Sequence, residues 1–155
     1  MPEPIAPPHL IDTNIAARVA KRDDPQHALV VSALDRLIAV GSDLCYVPQN
    51  IVELWTVLTR PRAVNDIGLS VTEADREVLL LERQFTLLPD NERIHEVWRR
   101  LVVDHRVSGK QVHDTRLVAA MIVHGITHLL TLDAGDFSRF PEITAVHPRA
   151  LVAAR

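Results

Sequence analysis

The chain of 155 residues has the length of one domain, and at that size about 70% of the unfolded surface can be buried without help from a metal or a disulfide. Its 47% hydrophobic and 24% charged residues exclude a disordered protein, and its apolar runs are too short to cross a bilayer. A formal net charge of −3 excludes nucleic-acid binding through a bulk positive field, though not through a local basic patch.

The first eight residues, with Pro2, Pro4, Pro7 and Pro8, read as an extended leader, because each proline fixes φ and removes an amide donor. They lack the basic start and long apolar stretch of a signal peptide, so the expectation is a cytoplasmic protein with no membrane association. Residues 9–155 then form a single domain. His9-Leu10-Ile11 is a short strand running into Asp12, and Thr13 and Asn14 lead into a helix. In an open α/β sheet the crevice beyond the carboxyl ends of the strands is where ligands bind, so Asp12 points into the expected site. A helix cap is the plainer role for the same residue.

Asp23-Asp24-Pro25 stops and restarts the chain, and Val30, Leu34, Leu37 and Ile38 mark one face of a long amphipathic helix that Gly41 ends. Leu44-Cys45-Tyr46-Val47 is a strand in which the single cysteine, Cys45, serves as core filler. Pro48 opens the next helix, whose core stripe is Ile51, Leu54, Trp55 and Leu58 and whose stop is Arg60-Pro61. Glu53 lies off that stripe, on the side of Gln49, Asn50 and Val57. Residues 62–70 read as a loop with Asn65, Asp66 and Gly68 as turn formers, before Ser70 and Glu73 start a further helix. Phe85 to Leu88 is a second short strand closed by Pro89. Ile94, Val97, Trp98, Leu101, Val102 and His105 trace the strongest helical stripe in the chain, with His105 at the edge of the core.

Arg106 to Gln111 is a basic loop whose Gly109-Lys110 pair lacks the earlier glycine of a P-loop. It leads to Asp114, in the first turn of a helix that is apolar nearly all round from Leu117 to Val123 and therefore buried. Here too helix capping is the alternative role. Gly125 ends that helix, Ile126 to Thr131 is a strand, and Asp133 and Asp136 follow it. Ile143 to Val146 is an outer strand, closed by Pro148. Strands alternating with helices throughout imply an α/β fold in three layers, a parallel sheet with helices on both faces.

Asp12, Glu53, Asp114 and Asp133 can thus converge at one sheet edge. Clustered carboxylates repel one another unless a cation sits among them, and hard oxygen donors partly open to water suit Mg²⁺ or Mn²⁺. Such a centre hydrolyses phosphodiesters. An aspartyl-phosphate phosphatase would need an acid where Asn14 stands, and a receiver domain an acidic pair before its phosphorylated aspartate. Among eight histidines only His113 adjoins a candidate acid, and none forms a recognisable nucleophile arrangement.

At four places in order the sequence resembles the PIN-domain ribonucleases, and among them the VapC-type toxins of toxin–antitoxin pairs. The matching pieces are Leu10-Ile11-Asp12-Thr13-Asn14, Glu53 within Asn50 to Leu54, Gly109 to Asp114, and Leu130 to Phe137. The resemblance implies a PIN-like sheet of about five mainly parallel strands, Mg²⁺ or Mn²⁺ as cofactor, RNA as substrate, a small antitoxin as inhibitor and a homodimer. By position it makes Asp12, Glu53, Asp114 and Asp133 the catalytic, metal-binding acids. Asn14 and Thr131 become the polar residues that orient them, and Asp136 could replace or assist Asp133. The leader is longer than is usual in that family. Arg60, Arg62, Arg106, Lys110 and Arg116, in or beside loops leading to the acids, are the candidate RNA contacts. The alternative is a non-catalytic PIN-like module that only binds RNA or antitoxin. The apolar surplus at Trp55, Leu79, Leu80 and Leu81 is the local feature that accords with a dimer.

Overall fold

The computed structural model describes residues 5–62 and 67–153. Five parallel strands, β1 (His9–Ile11), β2 (Leu44–Tyr46), β3 (Thr86–Leu87), β4 (His128–Leu130) and β5 (Thr144–Val146), lie in the order β3-β2-β1-β4-β5. The helices are α1 (Thr13–Ala20), α2 (His27–Ala39), α3 (Pro48–Thr59), α4 (Val71–Gln84), α5 (Glu92–Asp104), α6 (Gln111–His124) and α7 (Pro148–Ala153). The three-layer α/β fold with a five-stranded parallel sheet read from the sequence is the fold observed.

Side chains alternate across a strand, and the two cores follow from that. Leu10, Cys45 and Leu129 face one way, onto Ile94, Val97 and Leu101 of α5 and Leu117, Val118 and Met121 of α6. Ile11, Leu44, Tyr46 and Leu130 face the other way, onto Ile15 of α1, Val30, Leu34 and Leu37 of α2, Leu54 and Leu58 of α3, and Val78 and Leu81 of α4. The cysteine therefore packs in the core, as expected. The leader's Pro2 and Pro4 and the turn formers Asn65 and Asp66 lie outside the described residues.

Several local signals act as read. Ser70 and Glu73 form a reciprocal capping box, the Ser70 hydroxyl accepting from the Glu73 amide at 3.1 Å and a Glu73 carboxylate oxygen accepting from the Ser70 amide at 3.2 Å. His105 is half-buried with its ring edge-on to Phe140, centroids 5.0 Å apart. Others do not. Ile38, assigned to the α2 stripe, is 58% exposed, because Ala33 takes the inward position beside Leu34 and Leu37. Leu81, counted as surplus, is buried in the core, whereas its neighbours Leu79 and Leu80 are exposed. Pro148 does more than close β5: it opens α7, which packs on α2. Among the described residues no helix is long and apolar enough to cross a membrane.

Strand order reverses between β1 and β4: the chain lays β2 and β3 on one side of β1, then returns to place β4 and β5 on the other. A crevice opens at such a switch point, beyond the carboxyl ends of the strands. The helix α6 enters β4 through a tight turn at Gly125, whose φ of 71° is the left-handed conformation that glycine adopts without penalty. Helix and strand therefore run in opposite directions, and the first turn of α6 lies at the same sheet edge as the end of β1.

Candidate active site

Asp12 ends β1 and caps α1, one carboxylate oxygen accepting from the Thr13 amide at 2.7 Å. The other oxygen accepts from the Thr131 hydroxyl at 2.8 Å, so the cap leaves this oxygen turned toward the end of β4. Thr131 is wholly buried and also accepts from the Asp133 amide at 3.0 Å. Asn14 spans the same junction. Its amide nitrogen stands 3.1 Å from an Asp133 carboxylate oxygen and 3.3 Å from the Thr131 hydroxyl, while its carbonyl oxygen accepts from the Leu132 amide at 3.2 Å. The three residues clasp the two sides of the switch point.

Glu53 projects from α3 on the face away from Leu54 and Leu58. One carboxylate oxygen accepts from the Thr13 hydroxyl at 2.8 Å and the other from the Gln49 amide at 2.7 Å. Asn50, nearly wholly buried, donates to the Thr13 hydroxyl at 3.2 Å and accepts from the Val47 amide at 2.9 Å, which fixes the start of α3. Asp114 differs from the others. It stands one turn into α6, makes no cap bond, and no hydrogen bond to its side chain occurs among the described residues. Capping is therefore not its role.

Burial pushes the Asp12 carboxyl up to about 6 against the lowering effect of the Thr131 and Thr13 bonds, and the charges of Asp114 and Glu53 push the same way. Asp114 is likewise pushed up to about 6, first by burial and then by Asp136, Glu53 and Asp133. Asp114 thus links Asp12 and Glu53 on one side to Asp133 and Asp136 on the other. Asp136 bears on Asp114 more strongly than Asp133 does, while Asp133 is the one held by Asn14.

Among the described residues no three His, Cys, Asp or Glu side chains form a ready-made cage for a metal ion. Mg²⁺ does not require one, since it keeps several waters and takes one or two carboxylates. The donor set is all oxygen, it repels itself when empty of cations, and Asp133 and Asp136 remain exposed to water. Its chemistry suits a hard divalent ion.

The basic candidates separate. Arg60, Arg62, Arg106 and Lys110 are exposed, but Arg116 is engaged, with one guanidinium nitrogen 3.4 Å from the Gln49 carbonyl oxygen and another 3.4 Å from Asp90. Arg106 holds φ at 51°, a left-handed conformation, at the end of α5. Its amide bonds the Val103 carbonyl and the Val107 amide bonds that of Val102, the paired closure that usually carries glycine.

Residues that pattern reading passed over complete the edge. Trp98 donates its indole N–H to the Val112 carbonyl at 2.8 Å, Gln49 donates to the His113 carbonyl at 2.8 Å, and the Thr115 hydroxyl bonds the Gln111 carbonyl at 2.8 Å. Three successive carbonyls in the first turn of α6 are pinned in this way. Arg139 donates to the Gln111 side chain, tying the segment after Asp136 to the same turn. Only Asn50 left a sequence signal, a buried amide where a proline-started helix needs its entry fixed.

A parallel sheet whose strand order reverses beside a group of acids places the chain among the α/β proteins with a switch-point crevice. The profile of the PIN domain matches residues 9–143, and the chain belongs to that family. No curated protein sequence matches it. Among solved structures it is similar to VapBC-1 from nontypeable Haemophilus influenzae, at 17% identity and a TM-score of 0.65 over 90% of this chain and 97% of that one. It is similar to FitAcB from Neisseria gonorrhoeae at 21% identity and a TM-score of 0.62, covering 90% and 96% of the two chains. A third likeness is to Mycobacterium tuberculosis VapC20, a toxin that cleaves the sarcin-ricin loop, at 20% identity and a TM-score of 0.59 over 77% and 85%. At these identities the likeness is one of fold.

Proposed function

We propose that the chain is an endoribonuclease dependent on Mg²⁺ or Mn²⁺, the toxin of a type II toxin–antitoxin pair. The observation that carries the reading is the hydrogen-bonded acid edge at the sheet's switch point, where Thr131 holds Asp12, Asn14 holds Asp133 and Thr13 holds Glu53 beside an Asp114 that the charges of Asp136, Glu53 and Asp133 push toward protonation. Membership in the PIN-domain family supports it, as do neighbours that are toxins or toxin–antitoxin complexes.

In this reading Asp12, Glu53, Asp114 and Asp133 hold the ion, and Asp136 assists from the same loop as Asp133. A cation held there would supply a lowered pKa for a water and would offset charge on the scissile phosphate. The protein's own groups do the rest. Thr131 and the Thr13 amide fix both oxygens of Asp12, Asn14 holds Asp133 against the end of β1, and Thr13 with Gln49 orients Glu53. Arg60, Arg62, Arg106 and Lys110 take RNA phosphates and set the strand's register; Arg116 joins them only by leaving Gln49 or Asp90. A small antitoxin inhibits the enzyme. A homodimer forms, with Leu79 and Leu80 among the apolar residues that α4 leaves exposed for it.

The test is cleavage of a mixed RNA substrate by purified protein in Mg²⁺, in Mn²⁺ and in excess EDTA. Metal-dependent cleavage that Asp12→Asn and Glu53→Gln each abolish is the expected result. Undiminished cleavage in EDTA overturns the metal assignment. RNA binding without cleavage under every condition leaves the non-catalytic module.

A further inference from the structure

We propose that Gln49 is a positioning residue that fixes the Glu53 carboxylate relative to the first turn of α6, where Asp114 stands; the inference rests on the metal-dependent reading above. Gln49 occupies the first turn of α3, one turn before Glu53, so both side chains leave the same face of the helix. Its amide nitrogen has two hydrogens and two acceptors: the Glu53 carboxylate at 2.7 Å and the His113 carbonyl at 2.8 Å. Its oxygen faces the Arg116 guanidinium at 3.4 Å.

The surroundings dictate that orientation. A carboxylate and a carbonyl on one side accept only, and a guanidinium on the other donates only. Turning the amide over would set its oxygen against two acceptors and its NH₂ against a cation. Arg116 is itself held by Asp90, 3.4 Å away, so the chain Asp90, Arg116, Gln49, Glu53 leads in from the loop before α5 to the acid edge. Because the His113 carbonyl is one residue from Asp114, a single side chain measures the distance between two acids contributed by α3 and α6. No other side chain among those described bonds both Glu53 and α6.

Orienting partners of ligating carboxylates typically carry a 10–100-fold effect on metal affinity. Gln49→Met keeps the length of the side chain and removes both donors, and Gln49→Ala serves as a second variant should the thioether disturb packing. Each is measured beside wild type, Glu53→Ala and the double variant Glu53→Ala with Gln49→Met. Melting is followed in EDTA and across a Mn²⁺ titration, with RNA cleavage assayed on the same preparations.

The expected result is a loss of about tenfold or more in Mn²⁺ affinity for Gln49→Met in the wild-type background, and a change under about twofold in the Glu53→Ala background, where nothing is left to position. A purely structural role would lower melting in EDTA by the same amount in both backgrounds and leave the Mn²⁺ response alone, which overturns the proposal. Equal loss of Mn²⁺ affinity in both backgrounds also overturns it, since Gln49 would then act through α6 and not Glu53. A wild type that neither takes up Mn²⁺ nor cleaves RNA overturns the ribonuclease reading itself. That outcome is distinct from a wild type that does both while Gln49→Met does so equally well.

Discussion

Asp114→Asn sets stability against function at a residue with no competing structural duty. Because Asp114 accepts no hydrogen bond, the substitution removes charge and little else. A carboxyl pushed from 3.8 to about 6 penalises the ionised fold by about 3 kcal/mol at neutral pH, taking about 1.4 kcal/mol per tenfold. The group is only half-buried, and solvent screening brings the usable figure to about 1 kcal/mol. For a chain of 155 residues that corresponds to a melting point higher by about 2–4 °C in EDTA.

The sign with pH follows from proton binding. The folded state binds the proton more tightly than the unfolded chain, so wild-type stability falls as pH rises from about 4 through 6, and the full penalty stands above that. The advantage of the variant should therefore be complete at pH 7.5, shrink below pH 6 and vanish near pH 4. In Mn²⁺ the order reverses: a tenfold weaker site forfeits about 1.4 kcal/mol of ligand stabilisation at saturating metal, and cleavage falls by orders of magnitude. Differential scanning fluorimetry at three pH values, with and without Mn²⁺, reads all of this. An unchanged melting point in EDTA at pH 7.5, or a wild-type Mn²⁺ response, would refute the assignment of Asp114 to the cluster.

Three further substitutions probe the frame of the site. Arg106→Gly should stabilise the fold by roughly 1 kcal/mol by relieving the left-handed φ of 51°, while weakening RNA binding and flattening its salt dependence; a steeper or equal salt slope places the RNA elsewhere. Thr131→Ala should cost about 1–3 kcal/mol and most of the cleavage, because it strands the Asp133 amide and leaves an Asp12 oxygen with only the long 3.5 Å contact to the Asn14 amide nitrogen, and Thr131→Ser should restore much of both. Failure of serine to rescue would mean that the methyl group, not the hydroxyl, matters. Gly125→Ala should cost about 1 kcal/mol in urea unfolding yet leave Mn²⁺ affinity untouched, since it strains the end of α6 remote from Asp114.

Periodicity exposed most of the architecture because burial is periodic: Leu10 and Ile11 alternate between two cores, α5 carries its stripe where expected, and α6, apolar nearly all round, is the buried helix. The acids stood out as carboxylates placed directly after strands or at a helix start. What periodicity cannot carry is a bond between distant polar groups. Gln49 reaches the carbonyl of a residue 64 positions away, and Trp98, read as part of a stripe, spends its indole nitrogen on Val112. Ile38 misled because its spacing fits the stripe, but Ala33 is small enough to let the helix turn a neighbouring face inward. The short α7 has too few turns for an apolar pattern to register beyond the proline that opens it.

The central strand gives the molecule a timetable. Asp12 is synthesised well before the hydroxyl that holds it, which comes from Thr131, 119 positions later, and the Asp12 amide bonds the Leu130 carbonyl. Until β4 slides in, one edge of β1 is unpaired and the first acid has no frame. A chain still on the ribosome can therefore fold α1 to α4 against one face of β1 and β2 while remaining without a formed acid edge. Any chain cut before His128 would share that condition, with an open strand edge inviting association in place of the clasped acid edge. In a fold so ordered, the acid edge is complete only after nearly all of the domain has been made.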